Sequence, residues 1–486
     1  MTERGPSSPL ELLLPEGVAR GVLVLGSACP PRLRPATTDL HRDEAAEATD
    51  LVVIAPGAGE LREPRWLESA VERGADVLSR DGLVYVLVPP RSRRRARALL
   101  RKRGLDPEWP FLHLPDSGEN RHLVPLEPEA ARHAFAGVVP LVPWKRVAVG
   151  ALLRAGGARA LALAADDVAF VARRPRAAPP FAWLTQFDKA PEGRRAVVIT
   201  ASWRPNGPHV VLEPFPHGPA GPCVAKLALD GEPTGEQARL AQLGETAGRA
   251  GARVPEPLAG GDVHGAPVML ESRLSGRLAA PLLARRKARL TPIASAVATW
   301  LASWHRLTTT PCQLDRDRLE RELLGPAEAI APALDGGAAY LDRLAKLCLA
   351  AEGTTVALVA THNDLTMWNV LVNGDGHLGI VDWESAEPAA LPLKDFFYAT
   401  VDAVAATNRY RDRPGAVRDC FEPHGAHAAL GDLQASVAAA AGAGPEVVAL
   451  AFHATWLGHA ASEARSAAAS DERPFLEIAQ GLVRRV

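Results

Sequence analysis

The stretch LVATHNDLTMWNVLVNGDGHLGIVDWE, residues 358–384, decides how the rest of the chain is read. It holds His362-x-Asp364, then Asn369 five residues after Asp364, then Asp382 thirteen residues after Asn369. VLV (370–372) and LGIV (378–381) read as short apolar strands, and NGDG (373–376) supplies glycines for a tight hairpin turn. Such a hairpin returns Asp382 to the side of Asn369, so that spacing along the chain becomes one carboxylate-rich site.

These residue types suit phosphoryl transfer. That reaction asks little covalent work of a protein. One carboxylate orients the attacking hydroxyl and takes its proton, while Mg²⁺ neutralises the β- and γ-phosphates of ATP. Mg²⁺ takes oxygen ligands, typically one or two from side chains and the rest from phosphates and water. Asp364 fits the catalytic base, and Asn369 with Asp382 fits the metal pair. His362 reads as a structural histidine bonded to backbone rather than as an acid or base. Glu384 reads either as a support for the metal ligands or as a surface partner for an arginine.

The segment resembles the aminoglycoside phosphotransferase and choline kinase family, the small-molecule branch of the protein-kinase-like fold. Further stretches over most of residues 181–486 carry the likeness. CVAKLAL (223–229) is a strand with a single Lys226, similar to the lysine that grips the α- and β-phosphates. GEQARLAQL starts a helix ten residues on, and the resemblance makes Glu236 the partner of that lysine. APVMLESRLSG (266–276) resembles the connection between lobes that holds adenine, which implies nucleotide-binding positions at Met269 and Glu271. AVATWLASWHRL (296–307) and PLKDFFYATVDA (392–403) resemble the helix beneath the catalytic loop and the segment after the metal aspartate. The chain departs from the family at Asn363, where Gly is common, and at TASWRPNG (200–207), whose only glycine is Gly207. The resemblance implies an ATP- and Mg²⁺-dependent phosphotransferase acting on a hydroxyl of a small molecule such as an aminoglycoside, sugar, amino sugar or amino alcohol. The alternatives are a nucleotide-binding pseudokinase with a regulatory role and a bifunctional methyltransferase–kinase. The acceptor pocket carries no transferable motif.

Working outward, the Pro- and Arg-rich run ARRPRAAPPF (172–181) reads as an extended, solvated linker. The expected division is residues 1–175, a linker at 176–182 and a bilobal kinase-like domain at 183–486, its N-lobe ending near 276 and its C-lobe spanning 277–486. Before the linker, VLVLG (22–26), DLVVIAP (50–56) and LVYVLVP (83–89) are continuous aliphatic runs, as strands covered on both faces require. RWLESAVERGADVL (65–78) and RSRRRARALLRKRGL (91–105) alternate with them as helices, and RVAVGALLRAGG (146–157) and DVAFVARRP (167–175) read as a closing helix and strand. The expected class is therefore α/β plus α+β, with a Rossmann-like open sheet ahead of the bilobal domain. This first part resembles a class I methyltransferase domain that has lost its cofactor site. The turn after its first strand, GSACPPRL, has one Gly and two prolines, and Arg62 stands at the third glycine position after G-A-G (57–59).

Composition sets the outer bounds. A chain of 486 residues, 47% hydrophobic and 23% charged, can fill roughly two to four cores. Lys plus Arg (55) balances Asp plus Glu (56), which removes any electrostatic case for a nucleic-acid or anionic-membrane partner. Five scattered cysteines, with no C-x-x-C pair, argue against a disulfide framework and a cysteine zinc site. The start mixes charge and proline into its apolar residues, unlike a signal peptide, and GVLVLGSAC (21–29) reads as a buried strand rather than a lipoprotein cleavage site. No run reaches the ~18 apolar residues of a membrane helix, so the sequence reads as a cytoplasmic, soluble protein. The tryptophans Trp300, Trp304, Trp368 and Trp383 read as core or cleft-wall residues rather than a base-stacking platform.

Overall fold

The computed structural model describes residues 8–29, 49–115, 121–135, 143–154, 167–188, 196–204, 207–215, 221–229, 235–465 and 473–484, with single residues at 6, 157, 161 and 217. The chain divides into two compact units, one of residues 1–234 and 257–273, the other of residues 235–256 and 274–486.

In the first unit the aliphatic runs form strands where the sequence expects them. β1 (Val22–Leu25), β2 (Thr49–Ile54) and β3 (Leu78–Val88) lie side by side and parallel. β2 is buried on both faces, with Leu51 and Val53 in one apolar cluster and Val52 and Ile54 in the other. That two-sided burial is why the run is aliphatic rather than alternating. Helix α1 (Trp66–Val77) buries Leu67, Ala70, Val71, Gly74 and Ala75, the i, i+3, i+4, i+7, i+8 stripe of a helix lying on a sheet. Gly74 lets it lie close, since a Cβ there would meet Val52 Cγ1 at 2.8 Å. Helix α2 (Arg93–Lys102) buries Ala96 and Leu100, exposes Arg94, Arg95 and Arg101, and lays Arg97 over the Phe170 ring at 5.9 Å.

Two strands are unanticipated. β4 (Asp106–Pro115) and β5 (Arg121–Pro125) carry four prolines, which disguise them because proline removes a ladder donor. β6 (Val168–Arg173) lies antiparallel between β3 and β4. β5 then pairs with β7 (Ala196–Arg204), through Arg121↔Ala201, His122↔Thr200 and Leu123↔Ile199. The sheet continues through β8 (Gly207–Phe215) and β9 (Cys223–Ala228), with β10 (Pro257–Val263) and β11 (Ala266–Ser272) beyond. The whole is one 11-stranded sheet in the order β1-β2-β3-β6-β4-β5-β7-β8-β9-β11-β10.

One expectation differs from this arrangement. The compact units do not divide at 176–182: one apolar cluster runs from Leu10 and Leu51 to Val197, Val268 and Leu270. The supposed solvated linker is held in it, with Phe181 fully buried, its N–H donating to Leu13 O, and the Trp183 indole donating to Leu12 O. In the first part, among the described residues, β1, β2 and β3 are parallel neighbours with β1 at the rim, and the strands beyond them pair antiparallel.

The second unit is mostly helical. Helices α3 (Glu236–Arg249), α4 (Leu290–Thr308), α5 (Lys394–Thr407) and α6 (Pro445–Arg465) accompany two small sheets. One sheet joins β12 (Arg277–Leu278), β15 (Val370–Val372) and β16 (Leu378–Ile380); the other joins β13 (Thr310–Gln313), β14 (Thr355–Thr361) and β17 (Glu387–Ala390). α5 is buried from Asp395 to Ala406 and forms the axis of the unit. None of the five cysteines forms a disulfide. Among the described residues no single helix is long and apolar enough to cross a membrane.

Candidate active site

The hairpin read from the sequence is present. β15 and β16 pair as Val370↔Ile380, Leu371↔Gly379 and Val372↔Leu378 around the turn at Asn373–Gly376. Its return strand continues until the Val381 N–H donates to Asn369 O at 3.0 Å, which seats Asp382 beside Asn369. Asp382 itself has φ +68° and ψ +63°, a left-handed conformation that Asp tolerates better than most residues.

The loop between β14 and β15 carries Asp364. The Asn369 amide nitrogen donates to Asp364 O at 2.8 Å and to Asp364 Oδ2 at 3.0 Å. With its NH₂ group committed to Asp364, Asn369 directs its amide oxygen the other way, the only atom of that side chain a hard cation accepts. Among the described residues no group of three or more His, Cys, Asp and Glu side chains could hold a metal alone. A two-ligand set of Asn369 and Asp382 fits Mg²⁺ that takes its remaining oxygens from phosphate and water.

His362 is fully buried, and its Nε2 lies 3.0 Å from Val381 O, the backbone bond expected of a structural histidine. Behind it the rings of Trp383, Trp304 and Trp300 follow in series, at 5.0, 6.0 and 5.7 Å between successive centroids. These three tryptophans are core. Trp368 is not: 46% of it is exposed. Asn363 has φ +62°, which explains why glycine suits this position and why Asn replaces it without breaking the turn.

Two residues missed in the sequence hold this loop from below. Asp395 accepts from the His362 N–H at 2.6 Å and the Asn363 N–H at 2.8 Å. Asp402 accepts from the Met367 N–H at 2.7 Å and the Tyr410 hydroxyl at 3.0 Å, and pairs with Arg413 at 2.9 Å. Burial pushes both carboxyls above their usual range, against the pull of His362 and its N–H on Asp395 and of Arg413 on Asp402. Their spacing of seven places them two turns apart on one face of α5. Two acidic residues on an otherwise apolar helix were the available signal.

Glu236, 2% exposed at the start of α3, accepts the Trp383 N–H at 2.9 Å, next to Asp382. In the first unit, Lys226 stands on β9 directly opposite Met269 on β11 and forms an ion pair with Glu271 at 3.0 Å. Glu271 is 3% exposed, so this pair is shielded from solvent. That carboxylate was not anticipated as a partner of the lysine. Of the loop at 200–207, residues 205–206 lie outside the described residues, as do residues 30–33 of the GSACPPRL turn.

Residues 217–419 match the family described as phosphotransferase enzyme family. No curated protein matches the chain. Among solved structures the chain is similar to a candidate aminoglycoside phosphotransferase of Ralstonia eutropha JMP134, with 16% identity over 63% of this chain and 97% of that one and a TM-score of 0.40. It is similar to aminoglycoside phosphotransferase APH(3'')-Id of Streptomyces rimosus ATCC10970, with 16% identity over 51% and 89% of the two chains and a TM-score of 0.31. A macrolide 2'-phosphotransferase type I gives 13% identity over 59% and 90%, with a TM-score of 0.35.

Proposed function

We propose that this chain, which carries a phosphotransferase-family domain at residues 217–419, moves the γ-phosphate of ATP to a hydroxyl of a small molecule. The observation that supports the reading is the linked set Asp364–Asn369–Val381, in which two side-chain bonds and one backbone bond hold together the residues read as base and metal ligands. Asp364 takes the proton of the attacking hydroxyl and aims its oxygen at phosphorus. Asn369 and Asp382 hold Mg²⁺, which when bound neutralises the phosphate charge. Lys226, kept in place by Glu271, draws the phosphates, and Met269 on the same strand as Glu271 lines the adenine side. Glu236 steadies the turn that presents Asp382.

Asp364→Asn tests the reading. It keeps shape and the bond from Asn369 but removes the base, so ADP formation from ATP and Mg²⁺ with an acceptor should fall by ~10² or more. ATP affinity, measured by titration calorimetry, should stay close to wild type. Undiminished turnover would remove Asp364 from the reaction.

A further inference from the structure

The left-handed backbone of Asp382 is costly for any residue with a Cβ, so neighbouring bonds must hold the turn in place. Much of that hold comes from helix α3 and the loop after it. Glu236, almost fully buried, accepts the Trp383 N–H at 2.9 Å, one residue past Asp382. Arg239 lies three residues on and so on the same face of α3. Half-buried, it donates from its guanidinium to Ala386 O, at the end of the single helical turn Trp383–Ser385. Ala386 itself is fully buried, and its own N–H returns to Trp383 O at 3.1 Å. Before Asp382, Arg253 donates its N–H to Leu378 O at 2.8 Å and accepts the Ile380 N–H at 2.9 Å, which fixes β16. Residues 236–253 thus grip the chain on both sides of Asp382, and Arg239 is the side chain that secures the exit.

We infer that Arg239 is a positioning residue for the metal aspartate: its bond to Ala386 O, together with the bond from Trp383 to Glu236, fixes the orientation in which Asp382 meets Mg²⁺. The inference rests on the phosphotransferase reading above, in which Asp382 is a metal ligand. Two effects of Arg239 oppose each other. Its positive charge repels a nearby cation, whereas its bond to the turn steadies the carboxylate that holds one. The repulsion is weakened because a half-buried guanidinium is partly screened by water and salt. The bond lies at the strong end for hydrogen bonds, since its donor is charged and its acceptor belongs to a buried residue. Mg²⁺ also demands near-ideal octahedral geometry, so a small displacement of a ligand costs much of the affinity. Positioning therefore outweighs repulsion, and loss of Arg239 weakens the metal site.

The test is calorimetric titration of the full chain with ATP, with and without Mg²⁺, in wild type, Arg239→Ala, Arg239→Lys, Arg239→Gln and Asp382→Asn. The quantity read is the factor by which Mg²⁺ strengthens ATP binding. Arg239→Ala should lose roughly tenfold of that factor while its metal-free ATP affinity stays at the wild-type value. Lys and Gln can each still donate to Ala386 O, so both should recover most of the loss, although only Lys keeps the charge. A factor unchanged or raised in Arg239→Ala overturns the inference. So does an equal fall in metal-free and metal-bound affinity, which marks a loosened fold, or a failure of both Lys and Gln to recover the loss. In each of these cases the phosphotransferase reading stands if Asp382→Asn abolishes the strengthening. If Mg²⁺ does not strengthen binding in wild type, or strengthens it equally in Asp382→Asn, the inference and the metal assignment fall together.

Discussion

Carboxylates capture backbone N–H groups in both units, with opposite consequences. In the first unit Glu60 Oε2 accepts the Gly57 N–H at 2.6 Å, the Ser27 N–H at 3.1 Å and the Ser27 hydroxyl at 3.2 Å, at the carboxyl ends of β1 and β2. That is where an open parallel sheet holds a ligand. The two turns are drawn tightly together: a Cβ on Gly26 (φ +97°) would lie 2.4 Å from Ala55 O, and one on Gly57 would lie 2.3 Å from Ser27 Oγ. Partial burial raises the Glu60 pKa, but the Gly57 and Ser27 bonds outweigh it and hold it below the usual value. In the second unit Asp395 makes the same two-N–H contact with one loop, whose Asp364 is half-buried and bonded to the buried Asn369. One carboxylate ties two turns to each other; the other holds a single loop from behind.

The largest effect expected from this contrast is at Asp395. Asp395→Ala strands two N–H groups in the core, at about 1–3 kcal/mol each, so a loss of about 2–6 kcal/mol should appear as a shifted urea midpoint. Phosphotransfer should fall by ~10² or more with the displaced loop. A variant with wild-type midpoint and activity would show that the loop holds itself.

An intermediate effect comes from acid. Burial lowers the pKa of His305 to about 4, of His453 to about 4 and of His459 to about 3, the last helped by Arg413 and Lys394. Unfolded, each returns to about 6.5, so between these values the unfolded chain binds protons that the folded chain refuses. Stability is therefore full above about pH 6.5 and falls as pH drops, by about 1.4 kcal/mol per unit for each histidine. Amide exchange in α4 and α6, which carry these histidines, should accelerate across pH 6.5–4.5, and unchanged protection there would contradict the buried neutral state. The smallest effect belongs to Glu60. Glu60→Ala should move the melting temperature by no more than about 2 °C and leave phosphotransfer intact. Calorimetry on the Glu60→Ala chain should show no adenosylmethionine binding, because the turns at Gly26 and Gly57 stay pinched; micromolar binding would mean that Glu60 alone keeps the ligand out.

What could be read in the sequence follows a physical line. The hairpin at 370–380 and the strands β1, β2, β3 and β6 are local patterns, set by aliphatic runs and turn glycines. Asp382 stands out for its chemistry and Asn363 only as a replacement for the family's glycine, yet the positive φ of Asp382 could not be read from residue type alone. The pairing of β5 with β7 is a contact between segments about eighty residues apart, and no local pattern announces it. It joins the sheet across the Pro- and Arg-rich run, whose composition hid the buried Phe181. Asp395 and Asp402 were visible as residues, but their role depends on a loop thirty residues earlier folding over them.

The central claim is that Asp382 and Asn369 hold the metal that anchors ATP, and a titration with and without Mg²⁺ reads it most directly. ATP carries about four negative charges, which the carboxylates of the loop repel unless a cation stands between them. Asp382 gives that cation a full charge and a fixed direction, whereas Asn369 gives a neutral oxygen. Mg²⁺ should strengthen ATP binding in wild type and in Asp364→Asn, and should do little in Asp382→Asn. Equal strengthening in wild type and Asp382→Asn would mean that this residue is not the metal ligand, and would contradict the account.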